Sequence, residues 1–268
     1  MTLGQDSLNQ STWKRASSQR WLDGLRSFTD PGERAAIELV RERAAGAPIL
    51  DLGVGTGRTI PLLSPLGSEY LGVDYLASMV AACRARHPGV RVELGDARDL
   101  RAPSAHYGLV FFGFNGIDAV DHDGRARVLA EMRRVVRDDG AVVFSTLNRD
   151  GPAFRERPWT LRVARARHPV LVAARTARAL AAMPLDLARW SRLRPHAVHG
   201  SGWAIAPLSA HHYGVLAHFT TLSRLLDELA EAGLDRDVVV LDDARGAPVT
   251  PGQGTTNVAW FHVVARPR

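Results

Sequence analysis

The sequence predicts an α/β protein in which a doubly wound, mainly parallel sheet carries a helical insertion after its fifth strand. Short apolar runs alternate with amphipathic runs from residue 47 to 148 and again from residue 220 to 266. A stretch rich in proline, alanine and arginine separates these two regions. Because such alternation indicates a parallel sheet covered by helices, we predict one domain over 1–149 and 213–268, with a helical lid at 150–212.

The apolar pattern predicts each element in turn. Strands are expected at 47–53, 68–74, 90–96, 106–114, 141–147, 238–243 and 257–266. Helices are expected at 31–45, 56–63, 76–87, 123–140 and 220–234, and in the insertion at 161–168 and 170–182. Pro31 suits the first turn of a helix, and Thr220 or Thr221 can cap the last one. No strand is predicted in the insertion, and its prolines are expected to divide it into short pieces.

Composition excludes several classes of protein. The chain has 268 residues, of which 46% are hydrophobic and 23% charged, as in globular proteins rather than disordered ones. A single cysteine, Cys83, rules out an intramolecular disulfide and a cysteine-based zinc site. Neither a signal-peptide pattern nor an apolar run long enough for a membrane helix is present. We therefore expect a soluble, cytoplasmic protein.

Positive charge is concentrated in the insertion. The whole chain has a formal net charge of +6, whereas residues 151–200 contain ten arginines and only two acids, Glu156 and Asp186. Such a segment can bind phosphates or an anionic acceptor. Ten guanidinium groups cannot all be paired inside a protein, so we expect most of them on the outer surface and one or two directed inward.

The strongest motif is a glycine-rich turn after the first predicted strand, Asp51-Leu-Gly53-Val-Gly55-Thr-Gly57. Glycines at these positions allow a tight turn and let a ligand lie against the backbone. A dinucleotide fingerprint would require Gly-x-Gly-x-x-Gly. Arg58 or Ile60 occupies the last position, depending on the starting glycine. An acid in the turn would repel a pyrophosphate and suits a ligand that carries an ammonium or sulfonium group.

This turn resembles motif I of the class I S-adenosylmethionine-dependent methyltransferases, and three further motifs follow in the family's order. The resemblance covers about residues 47–148 and 220–266. It implies a Rossmann-like, seven-stranded sheet with an antiparallel last strand and S-adenosyl-L-methionine as cofactor. It also implies cofactor-binding roles for Asp51, Gly53, Gly55, Gly57, Asp74, Tyr75, Met79, Asp96, Ala97 and Phe112. In the family's pattern Asp74 accepts from both ribose hydroxyls, Asp96 accepts from the adenine amino group, and the Ala97 amide reaches the ring.

Catalytic candidates come from the substrate side of the same pattern. Methyl transfer to oxygen needs a base, and histidine titrates near neutral pH. Six of the ten histidines lie between residues 168 and 218, and we rank His212 first, then His211 and His218. Asn115 and Asn148, after strands four and five, are expected to face the substrate.

The same pattern argues against other chemistries. Phe112-Gly113 stands where metal-dependent relatives carry an aspartate, so no metal is expected. The sequence after strand four differs from that of base-amino methylases. Cys83 falls inside a predicted helix, where it is expected to pack in the core.

Three functions remain open at this point. The leading hypothesis is a methyltransferase acting on an oxygen or nitrogen of a small molecule or peptide, including an anionic one. An RNA methyltransferase is an alternative because of the basic insertion. Against it, only two aromatic residues, Trp159 and Trp190, lie among the arginines of the insertion, and no RNA-binding module is recognisable. A non-catalytic S-adenosylmethionine-binding protein is the third. The sequence indicates neither the acceptor nor the oligomeric state.

Overall fold

The computed structural model describes residues 5, 8, 9, 12, 28–160 and 169–268. Seven strands form the main sheet in the order β3-β2-β1-β4-β5-β10-β9. The first five strands in sequence run parallel to one another, and β10 is antiparallel to both β5 and β9. Their bounds are β1 Pro48–Leu52, β2 Glu69–Asp74, β3 Arg91–Leu94, β4 Tyr107–Phe112, β5 Val136–Leu147, β9 Arg236–Asp242 and β10 Trp260–Arg266. The predicted Rossmann-like sheet with an antiparallel last strand is confirmed.

Helices cover both faces of this sheet. One face packs on α1, through Ile37 and Val40, and the other packs on α4 and α7. Asp30 caps α1 by accepting from the Glu33 N–H, and Thr221 caps α7 by accepting from the Arg224 N–H. The helices of this domain are α1 Pro31–Ala44, α2 Ile60–Leu63, α3 Ala77–Arg86, α4 His122–Val135 and α7 Leu222–Glu231. Cys83 on α3 is fully buried in the core, as its pattern predicts.

The insertion combines helices with strands. Its helices are α5 Pro152–Arg155 and α6 Pro169–Leu193, and its strands are β6 Val198–His199 and β7 Trp203–Pro207. Strand β7 pairs antiparallel with β6 on one side and with β8, Leu216–Thr220, on the other, and the three strands form a separate sheet. The prediction of an insertion without strands was therefore wrong, because β6 and β7 are too short for an apolar period to be visible. The helix predicted at 161–168 lies outside the described residues.

Two helix ends differ from the sequence prediction. Helix α4 ends at Val135 rather than at Gly140, because Val136 adopts an extended conformation and already pairs with Tyr107 of β4. Helix α6 continues through Pro184. A proline inside a helix removes one backbone hydrogen bond, and alanine-rich neighbours with high helix propensity favour continuation on either side.

Side chains near the N-terminus close the open edge of β8. The Asn9 carboxamide accepts from the Leu216 N–H and donates to the Leu216 carbonyl, both at 2.8 Å. Gln5 also donates to the Leu216 carbonyl, at 3.1 Å. Because the amide of Asn9 matches both polar groups of Leu216, this residue takes the place of a peptide group in a neighbouring strand.

A buried ion network ties α4 to α7. Arg125 is 1% exposed and donates to Asp118 at 2.7 Å and to Glu228 at 2.9 Å. Asp118 also accepts from the Thr146 hydroxyl and from the Leu147 N–H. This carboxylate therefore joins the end of β5 to the segment after β4. Among the described residues, no helix is long and apolar enough to cross a membrane.

Candidate active site

One large cavity opens at the carboxyl ends of β1, β2 and β4. It has a volume of about 480 Å³, within the range of small-molecule sites. The turn end of the cavity is formed by Gly53, Gly55 and Asp74, and the insertion end by Glu156 and His211 with their neighbours. Open parallel sheets bind ligands at this edge, where the strand order reverses, and here the reversal lies between β1 and β4.

The glycine turn has the backbone that its motif predicts. Gly53, Gly55 and Gly57 have φ values of +61°, +56° and +91°, in the left-handed region that favours glycine. A Cβ at Gly53 would lie 2.6 Å from the Phe112 ring, and one at Gly57 would lie 2.5 Å from His87. A Cβ at Gly55 meets no atom closer than 3.9 Å, and Gly55 lines the cavity. This open position leaves the backbone accessible to a ligand.

Asp74 connects the turn to the end of β2. Its Oδ2 accepts from the Gly55 N–H and its Oδ1 from the Leu76 N–H, both at 2.9 Å. Each carboxylate oxygen has a second lone pair for a further donor, and Asp74 lines the cavity. Burial raises the pKa of this carboxyl, an effect that the two N–H donors oppose. The geometry fits a ribose whose two hydroxyls donate to one carboxylate.

Replacing Asp74 is expected to weaken cofactor binding. We predict that Asp74→Ala lowers the affinity for S-adenosylhomocysteine by about 10- to 100-fold, because hydrogen bonds to a charged group are each worth roughly 1.5–3 kcal/mol. Isothermal titration calorimetry measures this change. Asp138→Ala, which removes an exposed acid on β5 away from the cavity, is the matched control and should leave the affinity unchanged. Equal affinities in the two variants would contradict the assignment of Asp74.

Asp51 lies beneath the turn and does not line the cavity. It is 1% exposed and accepts hydrogen bonds from the Thr59 and Tyr70 hydroxyls. Burial raises the pKa of Asp51 to about 6, and these two donors oppose the rise. The carboxyl therefore anchors the turn to α2 and β2. This position differs from the contact with a cationic ligand that the sequence suggests.

Arg58 has a supporting role that the fingerprint comparison alone does not indicate. Its guanidinium makes two hydrogen bonds of 2.6 Å to the carboxylate of Glu33 on α1. The same guanidinium lies over the Phe114 ring, 5.3 Å from its centroid. Because Phe114 lines the cavity, Arg58 fixes one wall of it against α1.

The remaining cofactor candidates surround the turn end. Tyr75, Met79, Asp96, Ala97 and Phe112 all line the cavity, and Gly57 does not. The Asp96 carboxylate forms an ion pair with Arg98 at 2.6 Å, which lowers the pKa of Asp96. Arg98 also lines the cavity. Sequence spacing alone does not single out Arg98, since an arginine two residues after an acid is common on protein surfaces.

The insertion end is mainly apolar with a few polar groups. The hydroxyl of Ser209 donates to Glu156 at 2.6 Å, and His211 lies on the same wall. Motif spacing did not identify Glu156 or Ser209, because neither has a fixed distance from the glycine turn. The apolar lining includes Phe28, Phe114, Leu147, Leu208, Val215 and Trp260. Asn9 also contributes to the lining, although all the other residues named at this end except Phe28 are more than a hundred residues away in the chain.

The three candidate histidines occupy different environments. His211 lines the cavity, and burial together with the neighbouring His212 lowers its pKa to about 4. His212 does not line the cavity; its imidazole is 62% exposed and pairs with Asp186 at 3.0 Å. His218 is buried beside His122 and Trp203, also away from the cavity lining. The structure thus brings only the second-ranked histidine to the cavity.

The two candidate asparagines also occupy different environments. Asn115 lines the cavity, and its Oδ1 is buried with no hydrogen-bond partner among the described residues. Phe114 and Asn115 both have positive φ, a conformation that non-glycine residues adopt mainly where the surroundings enforce it. Asn148 is fully buried, and its amide donates to the carbonyls of Thr255 and Val258. The expectation that Asn148 faces the substrate was wrong, because its side chain holds the loop before β10.

One cluster of possible metal ligands lies outside the cavity. His122, His218 and Glu228 bring ligand atoms within 4.8 Å of one another. Arg125 bonds to Glu228, and Arg224 lies 3.6 Å from it. Burial and these two guanidinium groups lower the pKa of His218. Such a positive surrounding opposes a cation, so we assign no metal to this cluster, and the absence of a catalytic metal stays a prediction.

Comparison with known proteins identifies the same region. Residues 49–140 match the model of a family described as a methyltransferase domain. A probable S-adenosylmethionine-dependent methyltransferase of Mycolicibacterium smegmatis is 32% identical over 108 residues, which is 40% of each chain. A demethylmenaquinone methyltransferase of Beutenbergia cavernae is 32% identical over 149 residues, 54% of this chain and 51% of that protein. The chain spans about half or less of the length of these curated relatives.

Solved structures share the fold over most of the chain. A 1,6-didemethyltoxoflavin-N1-methyltransferase of Burkholderia thailandensis, with bound 1,6-didemethyltoxoflavin and S-adenosylhomocysteine, gives a TM-score of 0.58 at 15% identity. That comparison covers 100% of this chain and 92% of the other. An S-adenosylmethionine-dependent methyltransferase of Mesorhizobium loti gives a TM-score of 0.54 at 21% identity, over 86% and 97% of the two chains. At these identities the likeness establishes the fold.

Proposed function

Since this chain belongs to the class I S-adenosylmethionine-dependent methyltransferases, we propose that it methylates an oxygen or nitrogen of a small, uncharged and mainly apolar acceptor. The observation that carries this proposal is the continuity of the cavity. A single space joins the glycine turn and Asp74 to the insertion end, where His211 and Glu156 lie. The cofactor and an acceptor can therefore occupy one enclosure, as a direct transfer between them requires.

The residues at the turn end fit S-adenosylmethionine. Gly55 leaves its backbone open to the ligand, Asp74 can accept from both ribose hydroxyls, and Tyr75 and Met79 offer surfaces for the adenine ring. When bound, this cofactor supplies a methyl group on a positively charged sulfur. The protein's own task is to hold the acceptor in line with that methyl and to exclude water, which supplies a large part of the rate in reactions of this kind.

The insertion end supports an uncharged acceptor. Among the described residues, the only arginine in the cavity lining is Arg98, which pairs with Asp96 at the turn end. Glu156 places a carboxylate on the acceptor side, which favours a donor such as a hydroxyl or amine over an anion. An anionic acceptor, one of the options left open by the basic insertion, is thus disfavoured in this cavity.

We assign the proton-accepting role to His211. Its pKa of about 4 keeps the imidazole neutral at pH 7, and a neutral imidazole has a nitrogen that can accept a proton. His211 lines the same cavity as Asp74, whereas His212 and His218 do not. General bases of this kind contribute about 10²- to 10⁴-fold to a rate.

A panel of acceptors tests the proposal. We expect S-adenosylhomocysteine to form from S-adenosylmethionine with uncharged aromatic alcohols or amines. With the corresponding carboxylic acids it should form at least about tenfold more slowly, because no guanidinium of the described residues lies at the insertion end to pair with an anion. Chromatographic measurement of S-adenosylhomocysteine gives the rate. Asp74→Ala should lower turnover by about 10- to 100-fold at low cofactor concentration, in line with its weaker cofactor binding. Binding of S-adenosylhomocysteine without turnover of any acceptor, RNA included, would instead favour a non-catalytic binding protein.

A further inference from the structure

A second cavity lies on the other side of the insertion from the glycine turn. It has a volume of about 300 Å³, between α5, the C-terminal end of α6 and strands β6 to β8. Glu156 is the one residue that lines both cavities among those the structure describes. Its carboxylate accepts from Ser209, which lines only the first cavity. The second cavity is therefore a separate space behind the acceptor site, not part of the cofactor site.

Two guanidinium groups line this second cavity without a carboxylate partner among the described residues. Arg157 uses its Nη1 to donate to the carbonyls of Phe154 and Glu156, at 2.9 Å each. The exposed guanidinium of Arg194 lies over the ring of Trp190, 4.9 Å from its centroid. His199 lines the same space. Glu156 is the one acid in the lining among the described residues, and its carboxylate already accepts from Ser209, so the two guanidinium groups and His199 outnumber it and favour an anionic ligand.

Two indole rings form an aromatic, apolar wall of the second cavity. Trp159 and Trp190 meet edge to face, with 5.4 Å between ring centroids and 81° between ring planes. Trp159 remains 58% exposed, which is unusual for so large an apolar side chain in a globular protein. Phe154 and Phe219 continue this wall and meet each other with 5.1 Å between centroids. An exposed indole beside other aromatic rings provides a face on which a planar group can lie.

We propose that the second cavity binds a planar aromatic anion, that is, a ring that carries a carboxylate or a phosphate ester. The ring lies against Trp159 and Trp190, and the anionic group accepts hydrogen bonds from Arg194 and Arg157. This site uses two of the arginines in the basic insertion and accounts for an exposed tryptophan that the methyl transfer does not use. The other arginines whose side chains are described in α6, Arg175, Arg178, Arg189 and Arg192, lie outside both cavity linings.

Calorimetric titration of the full chain tests the proposal, with saturating S-adenosylhomocysteine present. We expect benzoate and phenyl phosphate each to bind with 1:1 stoichiometry, at least about tenfold more tightly than the neutral benzamide. Raising the salt concentration should lower the affinity for the two anions and leave the affinity for benzamide unchanged. Equal affinities for benzoate and benzamide would overturn the proposal. The comparison of the two anions shows whether a carboxylate or a phosphate ester is preferred.

Matched variants locate the bound ligand. Arg194→Gln should lower the affinity for benzoate by about tenfold, whereas Arg192→Gln, an exposed arginine two residues earlier and outside the lining, should leave it unchanged. Trp159→Ala should lower the affinity for both benzoate and benzamide, because it removes the ring contact that the two ligands share. Thermal unfolding checks that each variant is folded. If Arg194→Gln binds benzoate like the unmodified chain, or if Ala153→Trp, which fills the first cavity, abolishes the binding, the proposal is wrong.

Discussion

His211→Ala is expected to lower kcat by about 10²- to 10⁴-fold while the affinity for S-adenosylhomocysteine changes less than about twofold. The imidazole lies at the insertion end of the cavity, away from Asp74 and the glycine turn, so its removal affects proton transfer and not cofactor binding. Steady-state kinetics with an acceptor identified from the panel, together with calorimetry, separates these two effects. His212→Ala is the matched control, because that neighbouring imidazole is exposed and should leave kcat unchanged.

The pH dependence gives an independent measure of the same residue. Burial lowers the pKa of His211 to about 4, so the base stays neutral as the pH falls from 8 to 6. A histidine with the ordinary pKa of about 6.5 would lose most of its neutral form over that range. We therefore expect kcat to remain flat down to about pH 5 and to fall below it. A decline centred near pH 6.5, or equal losses in the His211 and His212 variants, would exclude His211 as the base.

Arg125→Ala is expected to lower the free energy of unfolding by about 3–5 kcal/mol. The guanidinium lies between the carboxylates of Asp118 and Glu228, and all three side chains are almost completely buried. Removing one partner of a buried ion pair is costly because a charge is left without compensation. Denaturation by urea, followed by circular dichroism, measures the change.

Arg127→Ala provides the control on the same helix. Arg127 is exposed, and surface substitutions usually change stability by less than about 0.5 kcal/mol. If the two variants unfold at the same urea concentration, the network does not stabilise the fold. A selective loss in Arg125→Ala would show that the contact between α4 and α7 depends on charge as well as on the apolar residues between them.

The main sheet could be predicted from the sequence because its signals are local. Buried parallel strands read as short apolar runs, and Pro31, Thr221 and the turn glycines mark helix and strand ends through their own conformational preferences. The small sheet of β6, β7 and β8 gives no comparable signal. Its strands are short, and its pairing depends on contacts between residues that are far apart in the chain. Pro184 had the opposite effect on the prediction. A proline suggests that a helix should end, yet the helix-forming residues on either side continue α6 through it.

The candidate site likewise contains residues that local sequence motifs predict and residues that only the tertiary structure brings together. Gly53, Gly55 and Asp74 follow strand ends at fixed spacing, so the sequence places them together. The histidines illustrate what spacing cannot resolve: His211 and His212 are adjacent, yet His212 and Tyr213 both have positive φ, and the chain reverses there. One imidazole consequently enters the cavity while the next points to Asp186. Only the tertiary structure distinguishes two such neighbours.

The contact of Asn9 with Leu216 couples the cavity lining to the edge of the small sheet. The same residue that completes the edge of β8 also forms part of the cavity lining. Replacing the Asn9 side chain would remove one polar group from the cavity lining and would leave the Leu216 N–H and carbonyl without their Asn9 partner. Unpaired edges are prone to associate with other chains. One side chain thus contributes both to the shape of the cavity and to the protection of a strand edge.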